Sequence, residues 1–415
     1  MLKKIACDQA RAGMYVARLD GPWLQHPFWR GAFALKNLDD VRALRDSGIP
    51  EVWIDTARGA DVEAPPDERV VVVDDIRLDD DDAATLEAAP VPGAPGPAPL
   101  CSTAEEVSRA RRIFARSRPL LQSIFANARL GRAIDRQQTQ ELLEEMSQSL
   151  QRNPWALLSI VRLKRADDYT YMHSAAVGAL MLALSRELQL PRAQQLSAGL
   201  AGMMHDIGKA SIPQDILNKP VALTEDEFAL IKTHPRRGQE LLLAMGDVDA
   251  TVLDVCLHHH ERIDGAGYPD GLAGSQISQL CRMASICDIY DATTSDRPYK
   301  TGWNPAESLR RMARWAPAHI DEQLFHHFVK CVGIYPIGSF VLLESQRLGV
   351  VVDQTPQALL QPTVKVLFSK QSRGFIAPQL VALAEAGCQD RIVGLENPSR
   401  WGIHDPAAHL HAAPG

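Results

Sequence analysis

The chain has 415 residues, which is long enough for two or three domains with an extensive hydrophobic core. Hydrophobic residues make up 46% of it and charged residues 23%, the balance of an ordinary globular protein. The net charge of −7 argues against a general nucleic-acid-binding protein, which is normally basic. A local group of basic residues can still oppose that overall sign, so a small anionic substrate is not excluded.

The seven cysteines are scattered and form no C-x-x-C pair. This predicts a reducing compartment with free thiols rather than a disulfide framework. The first residues lack the apolar core of a signal peptide, and the longest apolar run, 175–184, is shorter than the roughly 20 residues that cross a bilayer. We therefore expect a cytoplasmic protein without a membrane span.

Residues 1–76 contain short apolar runs separated by Gly, Pro and Asp, a pattern that predicts a small α/β or β domain. Residues 77–101 are acidic and then rich in Pro and Ala, so we predict an extended linker that buries no core. Residues 102–150 are predicted to form linking helices, because Thr103 and Glu106 have the spacing of a capping box.

Two features of the first linking helix lead to further predictions. Pro119 predicts a kink or an end of that helix. Five arginines precede it, and we interpret them as a solvated helix face: Arg109, Arg111, Arg112, Arg116 and Arg118.

From 151 to 334 the apolar residues have a helical period almost throughout, which predicts a mainly α domain. The period changes near Tyr335, where runs such as S-F-V-L-L and V-K-V-L-F favour strands. Residues 335–400 are therefore predicted to form a small β-rich module. The segment 401–415, with its Ala, Pro and His, predicts a flexible tail.

Residues that can bind metal ions recur along the helical region: His173, His205, Asp206, His234, His258, His259, His260 and Asp288. Imidazoles and carboxylates without thiolates suit hard or borderline divalent ions. The set is larger than one ion needs, so we predict two adjacent ions, which can activate a water and neutralise phosphoryl oxygens. Lys209 follows in H-D-I-G-K and could stabilise charge on a scissile phosphate.

A glycine-rich loop adds a binding feature downstream. In D-G-A-G-Y-P-D-G at 264–271 the glycines allow backbone amides to approach an anion closely. Tyr268 offers a ring face or a hydroxyl to a nucleotide. A plain turn with glycines is the alternative interpretation of this loop.

Together these motifs resemble the HD superfamily of metal-dependent phosphohydrolases, and more specifically its HD-GYP branch, whose members hydrolyse cyclic di-GMP. The resemblance covers about 150–335 and is carried by D-D-Y-T-Y-M-H-S at 167–174, H-D-I-G-K-A-S-I-P at 205–213, H-P-R-R-G at 234–238, H-H-E-R-I-D-G-A-G-Y-P at 259–269 and C-D-I-Y-D-A-T-T-S-D-R-P-Y-K at 287–300. It implies an HD-type helical bundle as the catalytic domain, and a metal-bridging hydroxide that opens cyclic di-GMP to linear pGpG, or further to GMP.

The resemblance also implies roles for individual residues. The metal ligands would be His173, His205, Asp206, His234, His259, His260 and Asp288, with Asp206 bridging two ions and His258 left over. The catalytic residues would be His205, Asp206 and Lys209. Substrate contacts would come from Lys209, Gly267, Tyr268, Pro269, Asp291, Arg297 and Lys300. Asp291 could instead orient a basic side chain or cap a helix. Iron or manganese suits this mixed set of ligands.

One departure from the family bears on the product. Some HD-GYP members hold a third metal with a glutamate one helical turn before the first histidine, and this chain has Tyr169 there. We therefore expect a site for two metals and pGpG as the main product.

The amino-terminal region resembles an uncharacterised domain found ahead of HD-GYP domains, through L-K-K-I, G-M-Y-V, W-L-Q-H-P-F-W and V-W-I-D-T. A regulatory or dimerising role would fit it, with a homodimer and signalling proteins as partners. Two alternatives stay open. The protein could be an HD phosphohydrolase for another nucleotide, or a catalytically silent receptor for cyclic di-GMP.

Overall fold

The structure is a computed structural model that describes residues 2–6, 10, 13–19, 33–35, 41, 51–56, 58–59, 101–161, 169–217, 219, 223–295, 302–316, 318–355 and 358–403. Of the predicted linker 77–101, residues 77–100 lie outside the described residues, and of the predicted tail 401–415, residues 404–415 do. Residues 401–403 are described, and Ile403 is buried. The chain divides into two compact units, Met1–Val70 and Val71–Gly415.

The first unit contains an antiparallel sheet in the strand order β1-β4-β2-β3. Its strands are β1 (Leu2–Ala6), β2 (Tyr15–Leu19), β3 (Phe33–Ala34) and β4 (Glu51–Asp55). Alternate residues of a strand point to the same face, and Val52 and Ile54 of β4 are buried together with Ile5, Val16 and Leu35. The expected β-containing amino-terminal domain is confirmed.

The second unit begins with a helical bundle. Its described helices are α1 (Thr103–Arg129), α2 (Arg136–Arg152), α3 (Pro154–Val161), α4 (Tyr169–Glu187), α5 (Arg192–Met204), α6 (Gln214–Leu217), α7 (Glu225–Ile231), α8 (His234–Ala244), α9 (Ala250–His258), α10 (Gln279–Thr294), α11 (Pro305–Trp315) and α12 (Glu322–Val332). One continuous apolar core joins all of these helices except α6 and α7, with Leu121, Val177 and Phe328 among its fully buried members. The predicted mainly α domain is confirmed.

Two details of α1 differ from the prediction. The capping residue is Ser102, whose hydroxyl accepts from the Glu105 amide while the Glu105 carboxylate accepts from the Ser102 amide. The expected pairing of Thr103 with Glu106 is therefore wrong by one residue. Of the two outcomes predicted for Pro119, a kink or an end, the end is wrong, since the helix continues for ten residues to Arg129.

Glycines bring α4 and α5 unusually close together. A Cβ atom on Gly178 would lie 2.5 Å from Met203 Cγ, and one on Gly199 would lie 2.5 Å from Leu182 Cγ. Neither helix could approach the other in this way with larger residues at these positions. This close contact places His205, at the end of α5, beside His173 on α4.

After the helices, the second unit contains a five-stranded antiparallel sheet with the order β8-β7-β6-β5-β9. Its strands are β5 (Phe340–Leu343), β6 (Arg347–Asp353), β7 (Thr363–Ser369), β8 (Gly374–Ala382) and β9 (Ile392–Leu395). The predicted β-rich module is thus confirmed as a part of the fold, while its exact boundaries stay a prediction.

The sheet is joined to the helical bundle by buried contacts. Trp155 of α3 packs in one core with Phe340, Leu348 and Phe368 of the sheet. At the start of α1, the Thr103 hydroxyl donates to Asp353 Oδ1 at 2.6 Å. No described helix combines the length and the apolar character that a membrane crossing requires.

Candidate metal centre

The predicted metal ligands come from five separate places in the helical bundle. His173 lies on α4, and His205 and Asp206 follow the end of α5. His234 is the first residue of α8, His259 and His260 directly follow α9, and Asp288 lies within α10. Ligand atoms of all seven residues fall into overlapping groups whose members lie within 4.8 Å of one another. The structure therefore brings the whole predicted set together.

Gly208 allows two of these places to meet. A Cβ atom at this position would lie 1.8 Å from the His234 carbonyl oxygen and 2.6 Å from the Gly238 amide nitrogen. Only glycine permits the backbone after Asp206 to lie against the start of α8. This contact places the Asp206 carboxylate beside His234.

Asp206 lies between two groups of histidines. Its Oδ2 is 3.4 Å from His205 Nε2 and 3.6 Å from His173 Nε2. Its Oδ1 is 3.3 Å from His234 Nε2 and 3.8 Å from His259 Nε2. A carboxylate that presents one oxygen to each of two imidazole groups has the arrangement of a bridging ligand between two ions.

The second carboxylate of the centre belongs to Asp288. Its Oδ1 lies 2.9 Å from His173 Nε2 and 3.8 Å from His205 Nε2. Asp288 therefore lies on the His173 side of Asp206. The other side consists of His234, His259 and His260, whose rings are 5.3 Å apart or less.

The outer nitrogens of the imidazoles are already engaged. The Nδ1–H groups of His205 and His234 donate to the Gly202 and Ile231 carbonyls, each at 2.8 Å. His259 Nδ1 donates to the carbonyl of Cys256 at 3.0 Å. In a neutral imidazole such bonds place the proton on Nδ1 and direct the bare Nε2 at the centre, as a metal ligand requires. His205 Nε2 is buried and has no hydrogen-bond partner within the described part of the chain.

The charges of the centre are set by burial and by neighbouring groups. Burial favours a raised pKa for the Asp206 carboxyl, but Lys209 and His205 outweigh it and hold the pKa well below its usual range. Burial, together with His260 and His205, holds the pKa of His259 well below that of a free imidazole. A charged carboxylate beside a neutral imidazole is a donor set that suits a divalent cation.

Lys209 completes the immediate surroundings of Asp206. Its Nζ donates to Asp206 Oδ2 at 2.5 Å, and the side chain is 14% exposed. The ammonium group is thus held at the edge of the centre, where an anionic substrate would arrive.

The loop that contains Gly267, Tyr268 and Pro269 packs directly on the metal centre, and we call it the lip. A Cβ atom on Gly267 would lie 2.4 Å from the Arg262 amide nitrogen, so the lip can approach this segment only with glycine there. The Tyr268 ring is stacked on the His260 imidazole, with centroids 4.8 Å apart and 27° between the planes. The lip therefore shares a surface with one of the predicted ligands.

Glu261 anchors the lip, and the sequence analysis missed this role. Its carboxylate is buried and accepts from the Asp270 amide at 2.7 Å and from the Leu272 amide at 3.0 Å. The position of this glutamate after the histidine pair was visible in the sequence. Its partners nine and eleven residues later were not, because no periodicity links them.

Asp291 lies behind a predicted ligand. We placed it among the substrate contacts, with the orientation of a basic side chain or a helix cap as alternatives. It is buried on α10 and its Oδ2 accepts from His173 Nδ1 at 2.6 Å, which agrees with the first alternative. A carboxylate behind a ligating histidine fixes the ring and raises its basicity. The geometry therefore assigns Asp291 to the orientation of His173.

His258 lies outside the centre, as the sequence suggested. Its Nδ1 is 2.7 Å from Asp254 Oδ1 and its Nε2 is 3.2 Å from Asp270 Oδ2. Both ring nitrogens thus face carboxylates, and the residue links α9 to the end of the lip. Two other expected substrate contacts, Arg297 and Lys300, lie outside the described residues, as does the side chain of Tyr169.

Comparison with known proteins bears on this site. The family model "HD domain" matches residues 130–324, and "Domain of unknown function (DUF3391)" matches residues 2–139. A cyclic di-GMP phosphodiesterase of Pseudomonas aeruginosa is 50% identical over 406 residues, which are 98% of this chain and 94% of that protein. This chain belongs to the HD-GYP branch of the HD domain family. Both resemblances noted in the sequence are confirmed.

Two further relatives of this HD-GYP chain match a smaller part of it. A cyclic di-GMP phosphodiesterase response regulator of Xanthomonas campestris pv. campestris is 37% identical over 182 residues, 41% of this chain and 46% of that protein. A 3′3′-cGAMP-specific phosphodiesterase of Vibrio cholerae is 35% identical over 164 residues, 39% of this chain and 38% of that protein. The chain therefore spans less than half the length of either relative. The HD domain itself implies divalent metal binding, which the histidine and aspartate groups of the structure fit.

Proposed function

We propose that this protein is a metal-dependent phosphodiesterase that hydrolyses cyclic di-GMP. The observation that carries the proposal is Asp206, whose two oxygens face separate groups of imidazoles within a complete set of seven ligands. The named activity of the nearly full-length relative at 50% identity supports the same substrate.

The proposed site holds two divalent ions. His173, His205 and Asp288 would hold one ion, and His234, His259 and His260 the other, with Asp206 shared between them. Iron and manganese are the proposed metals, since both accept imidazole and carboxylate ligands. When bound, the ions would supply an activated water and neutralise charge on the phosphodiester.

Residues of the chain position the substrate around these ions. Lys209, held by Asp206 at the edge of the centre, would contact the scissile phosphate and stabilise its developing negative charge. Tyr268, whose ring is stacked on His260 and lies 5.5 Å from Lys232 Nζ, would contact a guanine base through its ring or its hydroxyl. We further propose that Arg297 and Lys300 contact the nucleotide or its second phosphate.

The reaction is proposed to stop mainly at linear pGpG. Tyr169 stands where some family members have the glutamate that holds a third metal, and a phenol is a poor substitute for a carboxylate. Chromatography of early reaction products tests this point. Accumulation of pGpG is expected, and GMP as the main early product would contradict it.

Substitution of the shared carboxylate tests the whole scheme. Asp206→Asn should abolish turnover of cyclic di-GMP and lower the metal content of the purified protein, measured under anaerobic conditions. Asp215→Asn, a change at an exposed aspartate of α6, serves as the matched control and should alter neither. Retained turnover in Asp206→Asn would refute the proposed mechanism.

A panel of substrates separates this function from the alternatives. The similarity to a 3′3′-cGAMP-specific enzyme makes that dinucleotide the most informative competitor. Faster turnover of 3′3′-cGAMP than of cyclic di-GMP would reassign the substrate. Tight binding of cyclic di-GMP without hydrolysis of any member of the panel would instead indicate a receptor.

A further inference from the structure

A cavity of about 280 Å³ lies between α1 and α2, and we call it the arginine cavity. Its lining consists of Arg109, Arg112, Ile113, Arg116, Glu145, Gln148 and Arg152. None of the predicted metal ligands or substrate contacts belongs to this lining. The cavity is therefore distinct from the metal centre, and the function proposed above leaves it unexplained.

Two of the guanidinium groups are held from behind by a buried carboxylate. Glu106 is fully buried and accepts from Arg152 Nε at 2.8 Å and Nη2 at 2.7 Å. It also accepts from Arg109 Nη1 at 3.1 Å and from the Ser149 hydroxyl at 2.9 Å. Burial favours a raised pKa for Glu106, but the bonds from Arg152, Ser149 and Arg109 prevail and lower it. This carboxylate is thus charged and fixes two arginines in place.

The other two arginines of the cavity are exposed, as Arg109 is. Arg116 is held by Glu145, whose oxygens accept from its Nη1 at 2.6 and 2.8 Å. Arg112 is exposed. Residues 109, 112 and 116 are three and four positions apart, so they share one face of α1. Four guanidinium groups against the carboxylates of Glu106 and Glu145 leave a net positive charge of two around the cavity.

Several donors remain for a ligand after these pairings. Within the described part of the chain, Arg152 Nη1 and Arg116 Nε and Nη2 have no hydrogen-bond partner. Guanidinium groups match the oxygens of a phosphate and bind it through paired hydrogen bonds, and their planes also stack on nucleobases. Ile113 adds an apolar wall and Gln148 an amide, which an inorganic ion would not use.

We propose that the arginine cavity binds a nucleotide that carries a terminal phosphate monoester. Its volume is close to the lower limit of small-molecule sites, about 300 Å³, and suits one nucleotide unit. That unit is either a free mononucleotide or the phosphorylated end of a linear dinucleotide. The identity of the ligand rests on the proposed function, because hydrolysis of a cyclic dinucleotide creates such a terminal phosphate. The cavity is then a product-binding site.

Helix α1 runs from the arginine cavity to the metal centre, and its length keeps the two sites apart. Arg129, near its end, donates from Nε to the Ala210 carbonyl at 2.9 Å, next to Lys209. Arg109 and Arg129 are 20 residues apart on this helix, which corresponds to about 30 Å at 1.5 Å per residue. A ligand in the cavity and a substrate at the metal centre can therefore be bound together.

Equilibrium binding of pGpG, GMP and inorganic phosphate to the full-length, metal-containing protein tests the proposal. Arg112→Ala removes one guanidinium of the cavity, and Arg111→Ala is the matched control at the neighbouring exposed arginine, which does not line it. We expect two molecules of pGpG per wild-type chain. Arg112→Ala should weaken one site at least about tenfold, as the loss of a charge-assisted hydrogen bond does, and Arg111→Ala less than about twofold.

The binding measurements also identify the ligand of the arginine cavity. Binding of GMP as tight as that of pGpG supports a free mononucleotide as ligand, and binding of pGpG alone supports the dinucleotide end. A single equivalent in the wild type, equal losses in both variants, or equally tight inorganic phosphate would overturn the proposal. Initial turnover of cyclic di-GMP is measured in the same preparations and should be unchanged by Arg112→Ala. If cyclic di-GMP is hydrolysed but no binding site depends on Arg112, only the proposed role of the arginine cavity is refuted. If a binding site depends on Arg112 but cyclic di-GMP is not hydrolysed, only the proposed function is refuted.

Discussion

The anchor of the lip can be weakened without changing its shape by the substitution Glu261→Gln. The buried carboxylate accepts from two backbone amides, those of Asp270 and Leu272. A glutamine has one oxygen to accept with and turns its NH2 group toward the other amide, so that a donor faces a donor. The lip therefore loses one of its two bonds to this side chain.

The expected size of the effect follows from these contacts. A hydrogen bond to a charged group contributes about 1.5–3 kcal/mol, and a buried amide left without a partner costs a similar amount. We take about 2 kcal/mol for the loss of one bond, which changes the ratio of anchored to released lip by about 30-fold. In the released lip Tyr268 no longer stacks on His260. Substrate binding is therefore weakened more than metal binding is.

Steady-state kinetics with cyclic di-GMP measures the outcome. For Glu261→Gln we expect KM to rise by about tenfold or more, with kcat reduced less than about threefold and an unchanged metal content. Glu240→Gln, the same change at an exposed glutamate of α8, is the control and should leave both constants unchanged. An unchanged KM would refute the anchoring role. A loss of bound metal would show that Glu261 supports the ligands rather than the lip.

Three further predictions concern groups behind the metal centre and the arginine cavity. Asp291→Asn should weaken metal binding by about 10- to 100-fold, because His173 loses its carboxylate partner, and metal analysis in buffered free metal would detect this; wild-type occupancy would contradict it. Glu106→Gln should lower the melting temperature at pH 7. The folded pKa of Glu106 lies below its unfolded value, so the difference in melting temperature between wild type and Glu106→Gln should shrink as the pH falls below about 4.5. A difference in melting temperature that stays constant down to acid unfolding would refute the pairing of Glu106 with the arginines. Removal of bound ions with a chelator should lower the melting temperature, and added manganese should restore it, because an ion that binds only the folded state stabilises it; a melting temperature insensitive to both would argue against metal at this site.

The ligands of the centre could be predicted from the sequence because their chemistry is encoded locally. His205 and Asp206 are adjacent, and each remaining ligand stands in a short motif whose residue types suit a divalent ion. The helical and β-rich regions were likewise visible, since the period of apolar residues follows the geometry of each element.

Contacts between distant residues could not be predicted in this way. Thr103 was interpreted as a helix cap, but its hydroxyl bonds to Asp353 in the terminal sheet, and Ser102 has the capping role. For Asp291 the sequence left a substrate contact, the orientation of a basic side chain and a helix cap open, and it could not identify the partner, His173, 118 residues away. In both cases the side chain has several local options of similar energy, and the tertiary packing decides among them.

The bond between Thr103 and Asp353 has a consequence for the synthesis of this protein. The two residues are 250 positions apart. At a translation rate of roughly 5–20 residues per second, Asp353 leaves the ribosome on the order of 10–50 s after Thr103. During that interval α1 can form, but its first turn lacks this partner, and Trp155 lacks the sheet that covers it. The newly made bundle thus exposes an apolar surface until the strands of the terminal sheet have also been made.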